Sequence, residues 1–111
     1  MALYGRKTLK AIQDGVDKAI PFKMGYVSGK LIYNVYDINW GRLPYTEHEA
    51  IRAFIGKSPA FVIYSYNTPI AVNNLETDEW VTPDVTYSQS TTGHQHVVRT
   101  AINNPGFYPI R

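Results

Sequence analysis

Two of the chain's three histidines, His94 and His96, lie one residue apart in "STTGHQHVVRTAI", Ser90 to Ile102. Imidazoles ligate transition metals and exchange protons near neutral pH, so such a pair raises metal binding and acid–base catalysis together. The flanking residues predict a different role. Thr92 and Gln95 form a T-x-x-Q capping box immediately before Val97, Val98, Ala101 and Ile102, which follow helical spacing; "NNPG", Asn103 to Gly106, ends the helix. His94 is then the second helical residue, and His96 lies about 200° further round the axis. Two rings so placed on one helix do not share an ion, whereas an i, i+4 pair does. His94 alone would sit beside the free N–H groups of a first helical turn, which favour anions.

The other reactive residue types point to structural roles. There is no cysteine, which excludes disulfide scaffolds, cysteine-ligated zinc, thiol nucleophiles and iron–sulfur clusters. "GKS", Gly56 to Ser58, resembles the end of a phosphate-binding loop, but the required earlier glycine is Ile51 and the segment follows a helix instead of opening one. "GYVSGK", Gly25 to Lys30, is one residue short and continues into Leu31. No G-x-S-x-G elbow is present. Glu47 and Glu49 complement the start of a helix, and "ETDE", Glu76 to Glu79, lacks calcium-loop spacing and reads as a solvated turn. A site assembled from distant residues, such as His48 or His94 with Asp84, stays open. No catalytic residue, cofactor or metal is assigned.

These residues are positioned by what reads as a single domain, residues 1–111, with 44% hydrophobic and 18% charged residues and no repeat or linker. Leu9, Ile12, Val16 and Ala19 predict a helix from Arg6 to about Lys18, weakened by Gly15 and stopped before Pro21. Gly25 and Gly29 mark a turn before "KLIYNVYDINW", which reads as a strand with Leu31, Tyr33 and Val35 on one face. "YTEHEAIRAFIGKSP" predicts a helix capped by Thr46 and Glu49, buried through Ala50, Ile51, Phe54 and Ile55, and closed by Gly56. "AFVIYSY", "IAV" and "EWVTP" follow as an antiparallel meander with Pro69 at an edge or bulge, and "DVTYSQ" is a further candidate strand. The expected fold is α+β: a small antiparallel sheet of four to five short strands with two to three helices packed on one face.

Net charge is +2, but it is unevenly spread. Residues 1–30 hold Arg6, Lys7, Lys10, Lys18, Lys23 and Lys30 against Asp14 and Asp17, whereas Ser58 to Val98 holds no Lys or Arg. The basic set, Arg6, Lys7, Lys10 and Lys18 above all, is either a solvated helix face or a contact for phosphate. Nine tyrosines, including Tyr33, Tyr36, Tyr64, Tyr66 and Tyr87 on expected strands, either fill core edges or form a recognition surface. The apolar runs are too short to span a membrane, and "MALYGRKTLK" has no apolar signal core, so a cytoplasmic protein is expected.

From Ser65 onward, "SYNTPIAV", "WVTPD" and "YSQSTTGHQ" form a pattern Y-x-T-P-I-A, Trp before Pro, then Y-S-x-[ST]-T-x-x-H-Q. In this C-terminal part the chain resembles a group of small proteins of actinobacteria and their phages, departing from it at Val72, where a tryptophan or polar residue is expected. The resemblance implies a phage or prophage origin, not a reaction. With it comes a candidate binding set: Tyr66, Thr68, Tyr87, Ser88, Thr91, His94 and Gln95. The expected function is a small phage accessory protein in the host bacterial cytoplasm that binds, and so inhibits, a host or defence protein. The alternatives are a nucleic-acid module using the basic N-terminal helix and a small enzyme centred on His94.

Overall fold

The structure is a computed structural model that describes residues 5–83, 85 and 89–103. Helix α1 (Arg6–Lys18) leads into strands β1 (Phe22–Met24) and β2 (Val27–Ile32) and a 3-10 turn, Val35–Asp37. Helix α2 (Tyr45–Ile55), strands β3 (Ala60–Ser65), β4 (Thr68–Asn74) and β5 (Glu79–Val81), and helix α3 (Gln89–Asn103) complete the order. The five strands form one antiparallel sheet, each paired with its neighbours in sequence. The α+β fold expected from the sequence is therefore the one observed.

All residues of β3 and β4 are buried, because helices cover both faces of the sheet. Helices α1 and α3 pack Ile12, Val16, Val98 and Ala101 against Phe61, Ile63 and Ala71 on one face. On the other, Ile51 and Ile55 of α2, joined by Ile38 and Leu43, close over Ala60, Val62, Tyr64 and Val72. Two helices thus share a face, within the two to three anticipated, and α2 lies against the opposite one. A strand enclosed on both sides reads as a continuous apolar run, as "AFVIY" does.

Both expected capping boxes are corrected. Helix α2 begins two residues early, after Pro44 with φ −59°, so Thr46 is already helical and no side chain caps the end. Glu47 still brings negative charge to that first turn. Helix α3 begins at Gln89, so Thr92 lies inside it and His94 is its sixth residue, not its second. The expected strand through "YNVYDINW" is also corrected: β2 ends at Ile32, and the Asn34 side chain accepts from the Tyr36 N–H at 2.9 Å, which turns the chain into the 3-10 segment. Gly29 lies within β2, not in the turn before it, and "FKM" forms a strand. Pro69 does sit at an irregularity: the β3–β4 register shifts between Ile63 and Tyr64, whose partner is Pro69. Of "DVTYSQ", Asp84 and residues 86–88 lie outside the described residues.

Gly15 proves to be a packing requirement. A Cβ there would meet the Phe22 ring at 2.7 Å, and a Cβ at Gly29 would meet Phe22 at 2.5 Å and Phe61 at 2.6 Å. The two glycines make room for a tilted Phe22–Phe61 pair, centroids 6.4 Å apart, beneath α1. Gly15→Ala should therefore destabilise the fold by about 1–3 kcal/mol through overpacking, although alanine is the better helix former by about 1 kcal/mol. Urea denaturation checks this; a more stable variant would show that the close approach is not limiting.

Candidate functional site

Ser65 ends β3 on the same alternating face as Phe61 and Ile63, so its hydroxyl points at α3. Thr91, His94, Gln95 and Val98 recur at intervals of three, one and three, forming one helical face, and all four are buried. Sheet and helix join through polar atoms here: Ser65 Oγ lies 2.6 Å from His94 Nδ1 and 3.1 Å from Thr91 Oγ1. The Ser65 hydroxyl thus bridges Thr91 and His94, and the ring tautomer sets whether Nδ1 donates to it or accepts from it. Burial pushes the His94 pKa below the ordinary histidine value, because an imidazolium loses solvation in this position.

Outside this knot the ring of Tyr66 lies 6.0 Å from that of His94, tilted by 40°. Tyr66 also stacks on Tyr26, at 4.6 Å and 19° between planes. Both tyrosines are substantially exposed, and they belong to adjacent hairpin turns, Tyr26 in β1–β2 and Tyr66 in β3–β4. The Tyr66 backbone has φ +58°, a left-handed conformation that glycine or asparagine adopts at less cost. Its N–H donates to the Tyr26 carbonyl at 2.7 Å, which ties the two turns together.

A hydroxyl against a neutral imidazole has the composition of a nucleophile–base pair. Ser65 is 1% exposed, however, and an attacking oxygen must reach its substrate. As built, the cluster joins α3 to the end of β3, and the surface it supports is aromatic.

Of the sequence-predicted residues, Thr91 and His94 meet at Ser65 and Tyr66 lies beside them. Thr68 belongs to another contact: its Oγ1 accepts from the Arg42 N–H at 3.0 Å and fixes the loop before α2. Gln95 donates through Nε2 to the Val85 carbonyl at 3.0 Å. Tyr87 and Ser88 lie outside the described residues. His96 is exposed while His94 is buried, as their separation on the helix requires. His48 is on α2, stacked on Trp40 at 4.4 Å with Nε2 donating to the Leu43 carbonyl at 2.7 Å. On α1, Arg6, Lys7, Lys10 and Lys18 are exposed, and Lys10 pairs with Asp14 at 2.8 Å. Among the described residues no three His, Asp or Glu side chains are grouped to hold a metal ion.

Sequence reasoning missed Ser65 and Tyr26. A polar residue on the core-facing alternation of "AFVIYS" was the available signal for Ser65; Tyr26 had none, since its stack depends on the pairing of β2 with β3. No protein-family model, curated protein or solved structure matches the chain.

The buried imidazole sets a pH dependence. With the folded-state pKa lowered, the unfolded chain takes up the proton first as pH falls. Stability is therefore full above the unfolded value of about 6.5 and declines below it. Denaturation midpoints measured from pH 8 to pH 5 should show this decline, and His94→Gln should reduce the slope. An unchanged slope in that variant would assign the effect elsewhere.

Proposed function

We propose that this chain is a binding protein and not a catalyst: a phage or prophage accessory protein that captures, and so inhibits, a host or defence protein through Tyr26 and Tyr66. The observation that carries this reading is the exposed, stacked tyrosine pair, held by a left-handed backbone and backed by the Ser65–His94–Thr91 knot. A strained conformation costs on the order of 1–3 kcal/mol and persists where the surroundings enforce it, often at binding sites. Tyrosine suits such a place, offering large contact area with few rotamers to freeze.

The alternatives find less support. On α1, Asp14 falls on the stripe of Lys7 and Lys18 and pairs with Lys10, which weakens a phosphate-binding face. For an enzyme centred on His94, the adjacent hydroxyl is closed off. No helix among the described residues is long and apolar enough to cross a membrane.

Affinity capture from lysates of candidate hosts tests the reading. The wild-type chain should retain one protein stoichiometrically, and the folded double variant Tyr26→Ala/Tyr66→Ala should lose it. Retention of the same proteins by both forms, or of none by either, would refute the assignment.

A further inference from the structure

A second aromatic surface lies at the opposite end of β2. Tyr26 precedes this strand and Tyr33 follows it, which separates the two surfaces by roughly 20 Å. Tyr33 and Tyr36 are 75% and 81% exposed, the highest values among the exposed large apolar and aromatic side chains of the described residues. They line a groove of about 340 Å³ with Asn34 and Val35 on one side and Gly56, Lys57 and Ser58 on the other. That volume is within the range of small-molecule sites.

The groove wall is fixed, not incidental. The Asn34 side chain accepts from the Tyr36 N–H, and the Ile38 N–H donates back to the Val35 carbonyl, so the 3-10 turn presents both rings. Opposite, Gly56 turns out of α2 with φ +61°, and the Ser58 N–H donates to the Ile55 carbonyl at 3.1 Å. Polar capacity remains: no described residue accepts from the Asn34 amide nitrogen or pairs with the Lys57 ammonium, and Ser58 Oγ, donating to Glu76, can still accept.

Electrostatics select the ligand class. The groove abuts the C-terminal, electronegative end of α2. Glu76 accepts from Ser58, so the one cation among the described lining residues, Lys57, shares this edge of the groove with a carboxylate. A polyphosphate chain needs the reverse balance. Flat amphipathic rings beside scattered amide, ammonium and hydroxyl groups suit a neutral ring with one C–H face and a rim of hydroxyls.

We infer that the groove between Tyr33, Tyr36 and the Gly56–Ser58 turn is a binding site for a neutral saccharide. The pyranose face stacks on the tyrosines, and its hydroxyls pair with the Asn34 amide, Lys57 and Ser58. This site is independent of the Tyr26–Tyr66 surface.

The test is a titration of ¹⁵N-labelled full chain with cellotetraose, chitotetraose and maltotetraose, with sialyllactose and a ten-residue oligothymidylate as charged probes. At least one neutral tetrasaccharide should shift the amide resonances of Asn34, Tyr36, Gly56 and Lys57 at millimolar affinity or better. Tyr36→Ala and Tyr33→Ala should each weaken it by about tenfold or more, with Tm unchanged since both rings are exposed. Tyr26→Ala/Tyr66→Ala should bind as the wild type does. No response to any neutral tetrasaccharide, shifts confined to other residues, tighter binding of either charged probe, or unaltered binding by both single variants would each overturn the inference.

Discussion

Enclosing β3 from both sides is the constraint from which the rest of the architecture follows. Its odd-numbered side chains, Phe61 and Ile63, require the α1–α3 layer, and its even-numbered ones, Ala60, Val62 and Tyr64, require α2. A central strand with no solvent face leaves its two ends as the places where polar side chains can work. At one end Ser65 turns inward to α3; at the other the chain emerges from Ser58 and Pro59 beside the 3-10 turn. The two tyrosine surfaces sit at these ends because the sheet faces are already occupied.

Closing both faces also places polar groups in the interior, and the buried amides among them are tied down. Asn74 shows the pattern: its side-chain oxygen accepts from the Glu76 and Thr77 N–H groups, and its nitrogen donates to the Phe54 carbonyl. One buried amide thus shapes the β4–β5 turn and anchors the last turn of α2. Gln13 does similar work between helices, donating to the Ala101 carbonyl at 3.3 Å and to Asp17 on its own helix. Leaving such a donor or acceptor without a partner costs about 1–3 kcal/mol, so these contacts specify how the layers dock as well as holding them. Tyr64 belongs with them: burial pushes its phenol pKa up, while its oxygen accepts from the Asn39 N–H at 3.3 Å.

The elements legible in the sequence are those whose signal is local. Helix α1 has its expected bounds because Ile12 and Val16 mark a stripe, and the left-handed Ala19 ends it before Pro21. The β3–β4–β5 meander follows from apolar runs separated by turn residues. What escaped depends on a competition between local options. Asn34 diverts "YNVYD" from extended structure by accepting one N–H, and α3 starts three residues before its best capping motif. The candidate site was read in part: Thr91, His94 and Tyr66 do come together, but around Ser65, which lies 29 residues from His94 and meets it only through tertiary packing. Thr68 and Gln95 share the same sequence neighbourhood and serve different contacts.

The register shift at Pro69 bears on how this molecule coexists with copies of itself. Among the described residues, strand β5 pairs with Val72, Asn73 and Asn74, in the second half of β4. Incoming chains can template on a strand margin with unpaired backbone groups, which is how ordered aggregates begin, and here the side chains from Thr68 to Ala71 are buried as well. Proline has no hydrogen to donate there, and the extra residue beside it breaks the regular spacing that a docking strand would need to match. A substitution restoring a regular ladder at this margin would trade colloidal safety for straighter pairing.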